Sequence, residues 1–174
     1  TYRTEGTTKE ELDASELKNI ENFIKIIYTF RPDIITAHNG EAFDWNILIG
    51  ACIRLGTTIE ELSKKYFGGK SITKNKRETI LKLGGEIETF HQTIVPGTIV
   101  TDSLHAVRRA QALDSNMLFS NLKYVTKYSK IVKPNRVYVP GDKISEYWND
   151  TTHRFFFNEE DAALLYVAVV DFDK

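Results

Sequence analysis

Within the segment Pro32-Asp33-Ile34-Ile35-Thr36-Ala37-His38-Asn39-Gly40-Glu41-Ala42-Phe43-Asp44, three side chains have the types and spacing to do chemistry: His38, Asn39 and Asp44. An aspartate held on a rigid element beside a loop can ligate a hard cation such as Mg²⁺ or Mn²⁺, which prefers oxygen donors. A histidine and an asparagine, six and five residues earlier, can reach a bound polar ligand. A plainer reading stands beside this one. An Asp in the first turn of a helix complements the helix dipole, an Asn after a strand is a common turn residue, and His38 can be an ordinary loop histidine.

Such residues need elements to place them. Ile34-Ile35-Thr36-Ala37 is a short β-branched run that reads as a buried strand. It delivers His38 and Asn39 to a loop at its carboxyl end, where ligands bind in open α/β sheets. Gly40 is expected to let that loop turn sharply, and a helix over Phe43 to Leu55 starts with Asp44 in its first turn. Before the strand, Leu12, Leu17, Ile20, Phe23, Ile24, Ile27 and Phe30 follow helical spacing. Asp13 or Ser15 is the expected cap, and Pro32 the stop.

After the site, Gly56 suits a helix C-terminus, and Thr58 to Tyr66 reads as a short helix capped by Thr57 or Thr58. Residues 78–94 change period, and Thr79 to Leu83, Gly84-Gly85 and Ile87 to Phe90 read as a β-hairpin that turns on the two glycines. Thr98 to Thr101 reads as a strand, then Ser103 to Leu113 and Leu122 to Ile131 as helices. Val137 to Val139 reads as extended and Ile144 to Trp148 as a helical turn. This order predicts an α/β fold, with helices flanking a mixed sheet.

Composition sets bounds. At 174 residues, 41% hydrophobic and 27% charged, the chain is of globular type and the length of one ordinary domain. The net charge of −1 gives no bulk drive toward nucleic acid, so any such binding needs a local patch or a metal. The single cysteine, Cys52, sits in an apolar run, which predicts a buried, inert thiol and suits a reducing, intracellular setting. No apolar stretch approaches the roughly 20 residues that span a bilayer, so no membrane partner is expected. The start at Thr1 and the end at Asp171-Phe172-Asp173-Lys174 read as cuts through a longer polypeptide.

The segment around residues 32–44 resembles the second exonuclease motif of family B DNA polymerases. There a Pro-Asp-Ile-Ile strand is followed by Asn, three variable residues, an aromatic and Asp; here these are Asn39, Phe43 and Asp44. The resemblance continues through Thr101-Asp102-Ser103-Leu104 and Ser120-Asn121-Leu122-Lys123-Tyr124-Val125, and covers roughly residues 12–130. The wording of the sequence is also similar to that of tailed-phage polymerases, which implies a cytoplasmic location in the host cell.

That resemblance implies a ribonuclease H-like fold with residues 79–90 as an inserted hairpin, and residues 1–174 as a single, partial exonuclease domain of a longer polymerase chain. It implies a 3′→5′ proofreading exonuclease in which acidic side chains hold two Mg²⁺ or Mn²⁺ ions on the scissile phosphate. Asp44 would ligate metal, Asn39 would contact the 3′-terminal nucleotide, Phe43 would pack beside it, and His38 would touch substrate. The family's third motif is Tyr-x-x-x-Asp, and the candidate here is Phe157-Asn158-Glu159-Glu160-Asp161. Asp161 would be the second catalytic metal ligand. Phe157 departs from the pattern by lacking the tyrosine hydroxyl. The first motif, Asp-x-Glu, does not occur in residues 1–11, and the isolated chain is therefore expected to be inactive.

The expected partners are single-stranded 3′ ends of DNA, primer–template DNA and the attached polymerase domain. Lys123, Lys127 and Lys130 would share one helix face along a phosphate backbone, with Tyr124, Tyr128 and Tyr138 near for stacking and Arg108, Arg109, Lys133 and Arg136 adding charge. A solvated helix with core tyrosines is the bland alternative. Phe157 and the missing acids also motivate a different class of function, a catalytically incomplete nuclease-like fold that binds DNA or serves structurally. A ribonuclease or stand-alone exonuclease is a third reading.

Overall fold

Polar residues start the longest helix earlier than the apolar spacing suggests. The computed structural model describes residues 8–83 and 86–131. In it α1 runs from Lys9 to Phe30 behind the cap Thr8. Thr8 Oγ1 accepts the Glu11 N–H at 3.2 Å, and Glu11 Oε2 accepts the Thr8 N–H at 3.1 Å. This reciprocal box satisfies two N–H groups that the helix cannot pair. Asp13, expected as a cap, lies inside the helix and binds Arg54 instead, at 2.9 Å. Ile20, Ile24 and Ile27 form the buried stripe of α1. The helix ends where Arg31 turns left-handed (φ 49°) ahead of Pro32.

The chain divides into two compact units, residues 2–120 and residues 121–174 together with Thr1. In the first unit, α1 is followed by β1 (Ile34–Ala37), α2 (Asp44–Arg54) and α3 (Ile59–Lys64). Gly56 (φ 76°) closes α2, with its N–H on Ile53 O and the Thr57 N–H on Cys52 O. That is the double carbonyl cap for which glycine is suited. α3 repeats the box of α1, with Thr58 and Glu61. Ile20, Ile24 and Ile27 pack with Trp45, Cys52, Ile59, Ile72, Val95 and Val100 in one core. Arg54 with Asp13 and Glu16, and Lys65 with Glu21, link α1 to α2 and to the end of α3 at the surface.

The remaining strands are short: β2 (Thr73–Lys74), β3 (Thr79–Leu83), β4 (Glu86–Phe90), β5 (Thr93–Ile94) and β6 (Ile99–Asp102). Among the described residues they form three two-stranded ladders, not one continuous sheet. β1 pairs in parallel with β6, placing Ala37 opposite Asp102. β2 pairs antiparallel with β5, and β3 with β4, so residues 73–83 and 86–94 make one long arm with an interruption. Leu81 and Leu83 are buried on one side of the arm while Ile80 and Ile87 stay exposed on the other. The buried side faces α4 (Ser103–Leu113), where Phe90 lies 4.3 Å from the His105 ring. β1, read as buried, is half open: Ile34 is 58% exposed and Thr36 is exposed. The result is a mixed α/β arrangement of small sheets and helices.

In the second unit the described residues form α5 (Leu122–Tyr128), capped by Asn121, whose Oδ1 accepts the Tyr124 N–H at 2.9 Å. No helix among the described residues is long and apolar enough to cross a membrane. The segments 137–139 and 144–148 lie outside the described residues, as do Gly84 and Gly85.

Candidate functional site

The loop after β1 is built by its backbone. Asn39 adopts the left-handed conformation (φ 69°), which asparagine tolerates better than most residues. Gly40 is buried, and a Cβ on it would stand 2.5 Å from Ala37 Cβ. The sharp turn expected of Gly40 is thus made by Asn39, and glycine serves at position 40 for close approach. The Phe43 N–H then binds Asn39 O, and the Trp45 N–H binds Gly40 O, each at 2.9 Å. Trp45 is buried in the core with its ring 6.1 Å from that of Phe23. That anchor leaves its two predecessors outward: Phe43 is 58% exposed and Asp44 is exposed.

Asp44 is the first residue of α2, and Phe43 before it supplies no side-chain cap. The Asp44 carboxylate makes no hydrogen bond or ion pair with any described residue, and neither does the Asn39 side chain. Among the described residues, the fold engages neither side chain. The uncapped helix start favours negative charge, and Asp44 also complements it. His38 differs. Its Nδ1 lies 3.1 Å from Ser103 Oγ and its Nε2 2.8 Å from Ser120 O. Both ring nitrogens are engaged within the protein, so the geometry favours the plain loop histidine over a substrate contact.

Two carboxylates near the loop carry interactions that the pattern of residue types did not single out. Asp102, at the end of β6, caps α4 and is 9% exposed. Its Oδ1 accepts the N–H groups of Asn39 (2.8 Å) and Leu104 (2.9 Å), and its Oδ2 that of Glu41 (3.0 Å). Glu41 is 5% exposed and bound to Lys74 Nζ at 2.7 Å. Its carboxylate also accepts the Thr93 N–H and hydroxyl. Asp102 had a signal, an acid between a strand and an apolar helix start. Glu41 had none, because its partners lie 33 and 52 residues away.

A cleft of about 360 Å³ lies between the arm and α4, lined by Glu41, Gln92, Asp102, His105 and Arg109 among others. Asp44 is not in its wall. Among the described residues no three His, Cys, Asp or Glu side chains converge to hold a metal ion. Asp161 and Phe157 lie outside the described residues.

Of the basic residues, Lys123 and Lys127 stand four apart on α5, and both are exposed. Lys130 is exposed but falls beyond the helix, in a left-handed conformation (φ 57°), so the three do not form one helix face. Tyr124 and Tyr128 stack on each other at 5.8 Å. Arg108 is paired with Glu88, and Arg109 is exposed. Lys133, Arg136 and Tyr138 lie outside the described residues.

A comparison with curated proteins finds no match. The family described as DNA polymerase family B, exonuclease domain, matches residues 5–123, which include β1, its loop, Asp44, the arm and α4. Since the match spans most of the chain, the protein belongs to the family B DNA polymerase exonuclease domains.

Proposed function

We propose that this chain is the proofreading domain of a DNA-directed DNA polymerase, a ribonuclease H-like unit that hydrolyses 3′-terminal nucleotides of DNA with two divalent metal ions. What carries the reading is one juxtaposition. The segment from Asn39 to Asp44, inside the stretch that matches the family, stands at the carboxyl end of a parallel strand pair, and among the described residues the Asn39 and Asp44 side chains have no partner.

The donor chemistry suits Mg²⁺ or Mn²⁺. Asp44 offers hard oxygen from the start of a helix, where an anchored Trp45 limits its movement. Asp44 is assigned as one ligand, and Asp161, in the Phe157 segment, as another. When bound, the two ions activate water for attack on the terminal phosphodiester and stabilise the leaving 3′ oxygen. The residues of this chain bind and orient. Asn39 presents its amide to the terminal nucleotide, and Phe43 gives an exposed ring against which its base or sugar packs. Lys123, Lys127 and Lys130 supply positive charge for the phosphate backbone.

The test uses the complete protein that carries this chain and a 5′-labelled oligonucleotide with a mismatched 3′ terminus. Shortening from the 3′ end with Mg²⁺ or Mn²⁺, stopped by chelator and lost in Asp44→Asn, is the expected result. Degradation from the 5′ end, or an Asp44→Asn variant as fast as the wild type, overturns the reading.

A further inference from the structure

We infer that Glu41 and Asp102, the two buried carboxylates behind the loop, are positioning residues that hold Asn39 and Asp44 in place for hydrolysis; the inference rests on the function proposed above. Both acids reach the wall of the cleft, yet their hydrogen bonds go to the loop and its supports. Both are buried, and every carboxylate oxygen accepts at least one hydrogen bond from the protein.

Residue 41 is held at all three of its polar groups. Its N–H donates to Asp102 Oδ2 at 3.0 Å. Its carbonyl accepts from Lys74 Nζ at 3.0 Å. Its carboxylate takes Lys74 Nζ at 2.7 Å and the Thr93 N–H at 2.8 Å. The third proton of the Lys74 ammonium goes to His91 O, at 3.0 Å. The loop is therefore gripped from β6 and α4 by Asp102, and from the base of the arm by Lys74 and Thr93. Asn39 is bonded directly to Asp102, and Asp44 follows Glu41 by three residues within the turn closed by the Trp45–Gly40 hydrogen bond.

Charge matters to this grip. Burying a carboxylate is costly unless it is paired and well hydrogen-bonded. An ionised Asp offers two acceptor oxygens and no donor, which suits three inward N–H groups. An amide at 102 sets its NH₂ against the Glu41 N–H, or else against those of Asn39 and Leu104. An amide at 41 leaves Lys74 without its buried counter-charge. The same fold with either amide retains the core but loosens the loop.

The experiment compares Asp102→Asn and Glu41→Gln with wild type and Asp44→Asn in the complete protein. Both positioning variants are expected to lower kcat roughly 10–100-fold, the usual effect of residues that orient metal ligands. KM for the oligonucleotide rises in Asp102→Asn, where the bond that holds Asn39 is disturbed, and the Mn²⁺ concentration for half-maximal activity rises in both variants. Hydrogen exchange gives a readout apart from activity: the Asn39 and Glu41 amides exchange faster in Asp102→Asn, and the Thr93 amide in Glu41→Gln. Should Asp102→Asn fail to fold, Glu41→Gln alone decides. Folded variants with wild-type kcat and unchanged Mn²⁺ response, beside an inactive Asp44→Asn, overturn the positioning roles alone. A wild type without metal-dependent hydrolysis, or an active Asp44→Asn, overturns the proposed function and this inference with it.

Discussion

Ala37 leaves Gly40 no room for a side chain: the two residues approach so closely that a Cβ on residue 40 would stand 2.5 Å from Ala37 Cβ. Gly40 lies between Asn39, whose N–H Asp102 binds, and Glu41, so displacing it shifts the loop that leads to Asp44. Gly40→Ala is expected to destabilise the protein by about 1–3 kcal/mol, the usual range for forced overpacking. Denaturant unfolding measures this. Ala37→Gly added to Gly40→Ala removes the clashing atom, so the double variant recovers part of the loss. If the two costs simply add, the close approach is not the cause.

Asn39 carries two separable features, a left-handed backbone and an amide with no partner among the described residues. Asn39→Gly suits the backbone, since glycine enters this region without steric penalty. Stability is expected to hold while KM for 3′-mismatched DNA rises. Asn39→Ala loses the amide and strains the backbone, by roughly 1–2 kcal/mol, so it lowers the melting temperature as well. Unchanged kinetics in Asn39→Gly reduces Asn39 to a turn residue.

The local features of this chain were legible where sequence neighbours decide them. β1 over Ile34–Ala37 and α4 over Ser103–Leu113 follow from β-branched residues before one loop and an acid before an apolar helix. Thr8 was missed because its box with Glu11 sits in a polar stretch ahead of the apolar spacing. β2 and β5, two residues each, are too short to show a period. The basic spacing carries on to Lys130 after the helix has ended at Tyr128, so spacing alone does not mark where the face stops. At the site, Asn39, Phe43 and Asp44 formed a local pattern. The Glu41–Lys74 pair did not, since only the tertiary fold brings those charges together.

On the proposed function, Lys123 and Lys127 act on DNA through charge, so their contribution is expected to depend on salt. Each phosphate contact on single-stranded nucleic acid adds roughly 0.7 to the slope of log affinity against log salt. Lys123→Ala with Lys127→Ala is expected to weaken oligonucleotide binding at low salt and reduce that slope by about 1.4, two contacts' worth. Binding isotherms between low and moderate salt measure it. An unchanged slope makes these lysines a solvated surface and moves the DNA contact elsewhere.

Cys52 provides a test of the core through pH. Its thiol is fully buried on α2, and burial pushes its pKa up, with the nearby negative charge of Glu60 acting in the same direction. The folded protein therefore keeps the thiol protonated at a pH where the unfolded chain, at the ordinary value of about 8.5, releases it. Below that value the contribution to stability is fully present. As pH rises toward the folded pKa it is progressively lost, because the unfolded state then binds fewer protons than the native one. Wild type is expected to lose more stability than Cys52→Ala between pH 7 and pH 10, though the alanine variant starts lower from the cavity it leaves. Urea unfolding at the two pH values gives the difference. A thiol reagent supplies the second readout, since a neutral, buried thiol reacts only as fast as the surrounding helices open. Rapid modification in native buffer would show that α1, α2 and α3 do not close over Cys52.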